Sequence, residues 1–500
     1  MKFSKFTSLL VSCLAMALVA VPAGAKTKKA EQPQVKYVFY MIGDGMGINE
    51  VIGTQIYNEA TGKGPAVINF TEFPMRGFIT TVSGSSLVTD SAAGATTLAS
   101  GVKTYNGAIG LDMDEQPVSL ITEWAKESGY GTGVATSVGL NHATPAGFTT
   151  HATQRGNYED ISFQFIRSKV DFGAGGGFIT NRGSGHDNDF FISEARGAGI
   201  KVFRGPDFPD VASAPGRVIC LSGKDEQELP YAIDRQEGDT SLSDFVDAGI
   251  RYLDAKFGDK GFFFMIEGGK IDYGGHGNDA AACFQELNDF AAAVDVVLAF
   301  YDKHPDETLI VITADHETGG LMLGAGDYIM NPERMAKQDM SVNALTAKFR
   351  EAFMPARPQG RGPGRPQGQA RPPFNPETPA YTPPTWEQVK DFFREHLGLW
   401  GEVSVDERSE AAMKATYERT FGQDGDRENN VANLYAVNTR LVAEAVAYLN
   451  KAAGYNWSYG SHSGSPVGLY VKGREAGAFA TVHDNTQVAP TIARLAGYKK

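Results

Sequence analysis

The stretch Thr89-Asp90-Ser91-Ala92-Ala93-Gly94-Ala95-Thr96-Thr97 sets a serine beside an aspartate at the head of a run of small residues. Asp90 and Ser91 are ordinary helix-capping residues, and the run reads as a helix start. A helix N-terminus aims unpaired N–H groups and the positive end of its dipole at whatever lies there, which suits an anion such as phosphate. Ser91 is then a candidate nucleophile. Two further pairs carry ligand chemistry: Asp272 and His276 stand four residues apart, and Asp315 and His316 are adjacent. Each pair offers one hard carboxylate oxygen and one imidazole nitrogen to a divalent ion, a set that suits zinc where cysteine is absent.

These residues need a scaffold that brings them together. Residues 35–42 form a mostly apolar run that reads as a buried strand, delivering Asp44 within Gly43-Asp44-Gly45-Met46-Gly47. That string lacks the G-x-G-x-x-G spacing of a dinucleotide loop. Residues 117–128 have helical spacing, and a strand at 131–138 leads into Asn141-His142-Ala143-Thr144, with His151 and Arg155 beyond. A glycine-rich loop is expected at 173–177. Strands are expected at 217–222, at 262–266 before Glu267, at 308–313 before Asp315, and at 466–471 after His462. Residues 283–300 and 433–451 read as apolar helices. Alternating strands and helices predict an α/β fold, with a doubly wound, mostly parallel sheet and helices on both faces. Ligands in such sheets bind outside the carboxyl ends of the strands, where Asp44, His142, Thr144, Glu267, Asp272, His276, Asp315 and His316 all fall.

The N-terminus places Lys2 and Lys5 before an apolar run from Leu9 to Val21 and then Ala23-Gly24-Ala25, a secretory signal peptide ending at residue 25. Leu10-Val11-Ser12-Cys13 resembles a lipoprotein cleavage site that would anchor the chain through Cys13, but the apolar run continues past the cysteine, so cleavage after Ala25 is expected. The exported chain would be periplasmic or secreted, with no stable membrane insertion. Its formal charge of −13 becomes more negative on loss of the two leader lysines, which argues against a nucleic-acid partner. After cleavage only Cys220 and Cys283 remain, allowing at most one disulfide and no cysteine-based zinc site. Residues 355–384 hold ten prolines and four arginines and cannot build a packed core. Residues 326–429 therefore read as an insertion capping or flanking the site, between core segments 26–325 and 430–500.

Gly43-Asp44-Gly45-Met46-Gly47, Thr89-Asp90-Ser91-Ala92-Ala93, the span from Glu267 to Asp272, Thr313-Ala314-Asp315-His316-Glu317 and His462-Ser463-Gly464 together resemble the alkaline phosphatase family. They stand in family order over nearly the whole mature chain, with only the Pro-rich insertion outside. The resemblance implies hydrolysis of small-molecule phosphate monoesters through a phosphorylated Ser91, with two zinc ions and one magnesium ion. It assigns Asp272, His276 and His462 to the first zinc and Asp44, Asp315 and His316 to the second. Asp44, Thr144 and Glu267 go to a third, all-oxygen site suited to magnesium, and Arg155 grips phosphate oxygens. It also implies a possible homodimer. Two positions depart from the best-known bacterial members: His142 replaces an aspartate near the third metal, so that zinc could take that site, and Tyr273 replaces a lysine. The missing positive charge predicts weaker product binding. A sulfatase would need C-x-P-x-R or S-x-P-x-R, which Ser91-Ala92-Ala93-Gly94-Ala95 does not supply. A related phosphodiesterase usually carries a threonine nucleophile and no equivalent of Arg155.

Overall fold

The computed structural model describes residues 35–181, 185–223, 227–324, 328–354, 381–423 and 425–500. The expected signal peptide and most of the Pro/Arg-rich stretch lie outside these residues. Among the described residues nine strands form the central sheet: β1 (Tyr37–Gly43), β2 (Met75–Ile79), β3 (Gly131–Thr136), β4 (Phe172–Gly175), β5 (Lys201–Arg204), β6 (Val218–Leu221), β7 (Phe262–Gly268), β8 (Thr308–Thr313) and β9 (Val467–Gly473). Their order is β2-β9-β8-β1-β7-β3-β4-β6-β5. The sheet is parallel except at β9, which pairs antiparallel with both β8 and β2.

Strands β1, β7 and β8 are buried along their whole length, which explains their unbroken apolar sequences: both faces are covered, so no alternation is needed. Successive side chains serve opposite layers. Phe39 packs edge-on to Phe300 of the helix Ala280–Tyr301, while its neighbour Tyr40 packs on Phe148 in the other layer. Helices Ile48–Thr61, Leu242–Phe257 and Ala280–Tyr301 group on one side, and Ser91–Ser100, Ile121–Glu127 and Val488–Ala496 on the other. The fold is the doubly wound α/β sheet that the strand and helix pattern predicts.

Register brings the chemistry together. Ile42 pairs with Glu267 across β1 and β7 and with Thr313 across β1 and β8, and Thr136 pairs with Glu267 across β3 and β7. Four strands therefore end level, and the residues just beyond them share one rim.

The expected glycine-rich loop at 173–177 is largely a strand, β4. Its glycines answer to packing: a Cβ on Gly173 would come within 2.7 Å of the Phe165 ring. The expected helix at 433–451 is shorter, running Arg440–Ala453, and a hairpin of Asn430–Ala432 with Val437–Thr439 precedes it. Cys220 and Cys283 are buried free thiols, so the single disulfide that composition allowed is not formed. No helix among the described residues is long and apolar enough to cross a membrane.

Candidate active site

Asp44 follows β1 directly, and its N–H donates to Gly268 O at the end of β7 (3.2 Å). Glu267 lies at the end of β7, and Asp315 just beyond β8. The helix Lys270–His276 carries Asp272 and His276 on one face. A two-residue ladder of Glu317–Thr318 with His462–Ser463 draws in His462, whose ring stacks on His316 at 3.6 Å and 18°. Gly45 adopts φ 70°, and a Cβ there would come within 2.8 Å of Thr318 Oγ1 and 2.9 Å of Asp272 Cα, so only glycine lets these segments meet.

Ser91 is the first residue of the helix Ser91–Ser100, and Asp90 caps it by accepting from Ala93 N (3.0 Å). Ser91 Oγ lies 3.1 Å from His316 Nε2, 3.5 Å from Asp44 Oδ1 and 3.4 Å from Arg155 Nη1. The other oxygen of Asp90 accepts from Arg155 Nη1 (3.3 Å), so the cap also steers the guanidinium.

Hydrogen bonds define which imidazole nitrogens face the centre. His276 Nδ1 meets Gly460 O and His462 Nδ1 meets Thr89 O, both at 2.9 Å. A carbonyl only accepts, so each Nδ1 carries a proton and each ring turns its Nε2 toward the centre. Those Nε2 atoms lie 3.1 Å apart, and 3.4 and 3.6 Å from Asp272 Oδ1. Thr318 settles His316 in the same way: its hydroxyl donates to Asp272 Oδ1 (2.5 Å) and so accepts from His316 Nδ1 (3.2 Å). His316 Nε2 then faces Asp44 Oδ1 and Asp315 Oδ2, each at 3.4 Å.

Carboxylates turned on one another repel unless cations lie between them. Asp44, Glu267, Asp272 and Asp315 are fully buried, and Glu267 Oε1, Asp272 Oδ2 and Asp315 Oδ2 have no hydrogen-bond partner. Burial, then the carboxylates of Asp315, Asp272 and Glu267, push the Asp44 carboxyl well above its ordinary range. Burial foremost lifts Asp315 and Glu267 to about 7. Oxygen and imidazole donors of this kind fit divalent ions. Among the described residues, ligand groups within metal-binding reach include Asp272, His316 and His462; Asp44, Asp315 and His316; and Asp44, His142 and Glu267.

The model of the alkaline phosphatase family matches residues 35–171 and 220–498. The chain belongs to the alkaline phosphatase family. It is 28% identical to "Alkaline phosphatase 3" of Bacillus subtilis (strain 168), over 98% of this chain and 96% of that protein. It is 32% identical to the "Repressible alkaline phosphatase" of Saccharomyces cerevisiae, over 70% of this chain and 68% of the relative. The structure of the cold-active alkaline phosphatase of a psychrophilic Shewanella sp. superposes with a TM-score of 0.70 at 26% identity, covering 92% of this chain and 99% of the other. The family match runs across the Pro-rich stretch and leaves out residues 172–219, the reverse of the coverage the motifs suggested. Membership makes the chain a metal-dependent enzyme acting on phosphate monoesters.

All twelve residues singled out from the sequence of this phosphatase gather at the same rim. Thr144 Oγ1 donates to Asp44 Oδ2 (3.4 Å). His142 Nε2 accepts from Arg155 Nη2 (3.2 Å), and burial with that cation pushes the imidazole down to about 3, so the ring is neutral. Tyr273 is buried and stacked on Tyr435 at 3.6 Å, so the position read as lacking a lysine holds one ring of an aromatic pair. Sequence reasoning missed Thr318, which the D-H-E-T string could have flagged, and Tyr435, which no motif marks. It also missed Thr136, whose hydroxyl bonds Glu267.

Proposed function

We propose that this phosphatase hydrolyses monoesters through a phosphoserine on Ser91, assisted by two zinc ions and one magnesium ion. Asp272, His276 and His462 would hold one zinc and Asp44, Asp315 and His316 the other, while Asp44, Thr144 and Glu267 offer magnesium an oxygen set. Bound there, the ions supply the positive charge that stabilises the phosphoryl group and the oxygens that attack and leave. The observation that carries this reading is Ser91 Oγ at a helix N-terminus, bracketed by His316 Nε2, Asp44 Oδ1 and Arg155 Nη1 at 3.1–3.5 Å.

Arg155 grips two phosphoryl oxygens with its planar fork, while Asp90 keeps that fork turned toward Ser91. Ser91 Oγ attacks phosphorus, forming the Oγ–P bond as the ester P–O bond breaks. The leaving alcohol takes that electron pair and the proton that Ser91 gives up. Water then attacks the phosphoserine, and cleavage of Oγ–P returns Ser91 and inorganic phosphate. His142, its Nε2 engaged by Arg155, also lies within reach of Asp44 and Glu267, so the oxygen set of Asp44, Thr144 and Glu267 is read as a magnesium site, with zinc the alternative if His142 joins it. The chain is read as exported after loss of residues 1–25, with 326–429 inserted beside the site.

The test is release of nitrophenol from p-nitrophenyl phosphate at alkaline pH by wild type and Ser91→Ala, before and after chelation and restoration of zinc plus magnesium. Metal-dependent turnover that collapses in the variant is expected. Hydrolysis of bis-nitrophenyl phosphate alone would replace this reading with a diesterase, and three zincs per chain after dialysis against magnesium would remove the magnesium assignment.

A further inference from the structure

The hairpin between Asn430–Ala432 and Val437–Thr439 lies outside every sequence motif, yet its tip reaches the active site. Asn433 shapes that tip: its Oδ1 accepts from the N–H groups of Tyr435 (2.9 Å) and Ala436 (2.6 Å), and its own N–H donates to Ala436 O (2.9 Å). Tyr435 is thereby laid on the ring of Tyr273 at 3.6 Å and 18°, with the His276 ring edge-on at 5.3 Å. Tyr273 is itself held from behind, because its hydroxyl donates to Glu228 Oε1 (3.2 Å). The Tyr435 hydroxyl ends 3.5 Å from Arg155 Nη2 and accepts from it.

Both arms of the Arg155 fork are then held from two sides. Nη1 reaches Asp90 Oδ2 and Ser91 Oγ, and Nη2 reaches His142 Nε2 and the Tyr435 hydroxyl. A long arginine side chain loses considerable rotamer freedom when it grips an anion, and a partner that fixes it beforehand removes part of that cost. Resting on the proposed phosphoryl grip of Arg155, we propose that Tyr435 is a positioning residue. Its hydroxyl, with His142 Nε2, anchors Nη2 and so presets the guanidinium, whose Nη1 faces Ser91, for a phosphate oxygen; the hairpin thereby completes the phosphate site.

Tyr435→Phe keeps the stack on Tyr273 and removes only the hydroxyl. In the full, metal-loaded enzyme we expect KM for p-nitrophenyl phosphate and the inhibition constant of inorganic phosphate to rise ~3- to 10-fold, more than any fall in kcat, as for loss of a hydrogen bond to a charged group. Zinc and magnesium content should match wild type, which a merely structural role would not guarantee. Asn433→Ala, which frees the tip without touching the ring, should shift both constants the same way by less. A phosphate inhibition constant that is unchanged or tighter in Tyr435→Phe would overturn the proposal, as would a fall confined to kcat. A wild type inactive on the monoester would instead overturn the phosphoserine reading, so the two failures are distinct.

Discussion

Thr318 makes one hydrogen bond to each of two proposed metal ligands, Asp272 and His316. Its single hydroxyl proton goes to Asp272 Oδ1, and its lone pair takes the His316 Nδ1 proton, which leaves His316 Nε2 free to face Ser91, Asp44 and Asp315. Thr318→Val keeps the shape and removes both bonds. Loss of such an orienting partner commonly costs about 10- to 100-fold in metal affinity or activity. We expect kcat/KM on p-nitrophenyl phosphate to fall within that range and zinc to exchange faster into a chelator; wild-type zinc retention would count against the role. The proposed ligands Asp44 and Asp315 were readable in the sequence because each closely follows an apolar run, Asp44 after β1 and Asp315 after β8. Thr318 and Tyr435 were not, because their roles exist only through partners far away in the chain: Tyr435 meets Arg155, 280 residues earlier. Residue type and spacing expose a ligand, whereas a residue that orients one is defined by the fold.

The helix Ser91–Ser100 places the proposed nucleophile, and its small residues set how closely it approaches the end of β8. A Cβ on Gly94 would come 3.0 Å from Asp315 Cβ and 3.2 Å from Asp315 O. The backbone oxygen cannot give way without moving Asp315, so Gly94→Ala should shift Ser91 against its neighbours. Displacements well under an ångström at reacting groups are costly, and we expect kcat/KM to drop about tenfold, with a smaller loss of thermal stability. Steady-state kinetics beside a melting curve check this, and full activity in the variant would show that the spacing is slack. At this scale the sequence was a good guide where elements obey their own periodicity: residues 308–313 were expected to be a strand and are β8. It failed where packing overrides propensity. The glycines of β4 look like a loop in isolation, but Gly173 is small because the Phe165 ring occupies the space above it. The antiparallel course of β9 depends on pairing with both β8 and β2, which local pattern does not encode.

Across the whole molecule, a core closed on both faces of the sheet keeps its reactive groups out of water, and two consequences can be measured. Cys220 and Cys283 are buried and unpaired, so the chain lacking residues 1–25 should expose two reactive thiols only after unfolding and migrate identically with and without reductant; a thiol count of zero after unfolding would contradict the free pair. The second consequence concerns pH. Glu286, on the helix Ala280–Tyr301, is buried and accepts from Ala232 N (2.6 Å), among Lys270, Asp289 and Arg235. Burial, assisted by Asp289 and opposed by Lys270, Arg235 and the Ala232 hydrogen bond, lifts its carboxyl from 4.5 to about 7. A carboxyl with a raised folded-state value holds its proton more tightly when folded. Its contribution to stability is therefore fully present below the unfolded value of 4.5 and is lost as pH rises through about 7. Above that point ionised Glu286 costs on the order of 3 kcal/mol relative to the protonated state. Glu286→Gln cannot ionise, so its melting temperature relative to wild type should rise between pH 5 and pH 8, with the variant gaining most at alkaline pH. A difference that stays constant across that interval would mean that Lys270 and Arg235 already neutralise the carboxylate. In that case the buried charged layer behind the active site would impose no penalty in the range where an alkaline phosphatase works.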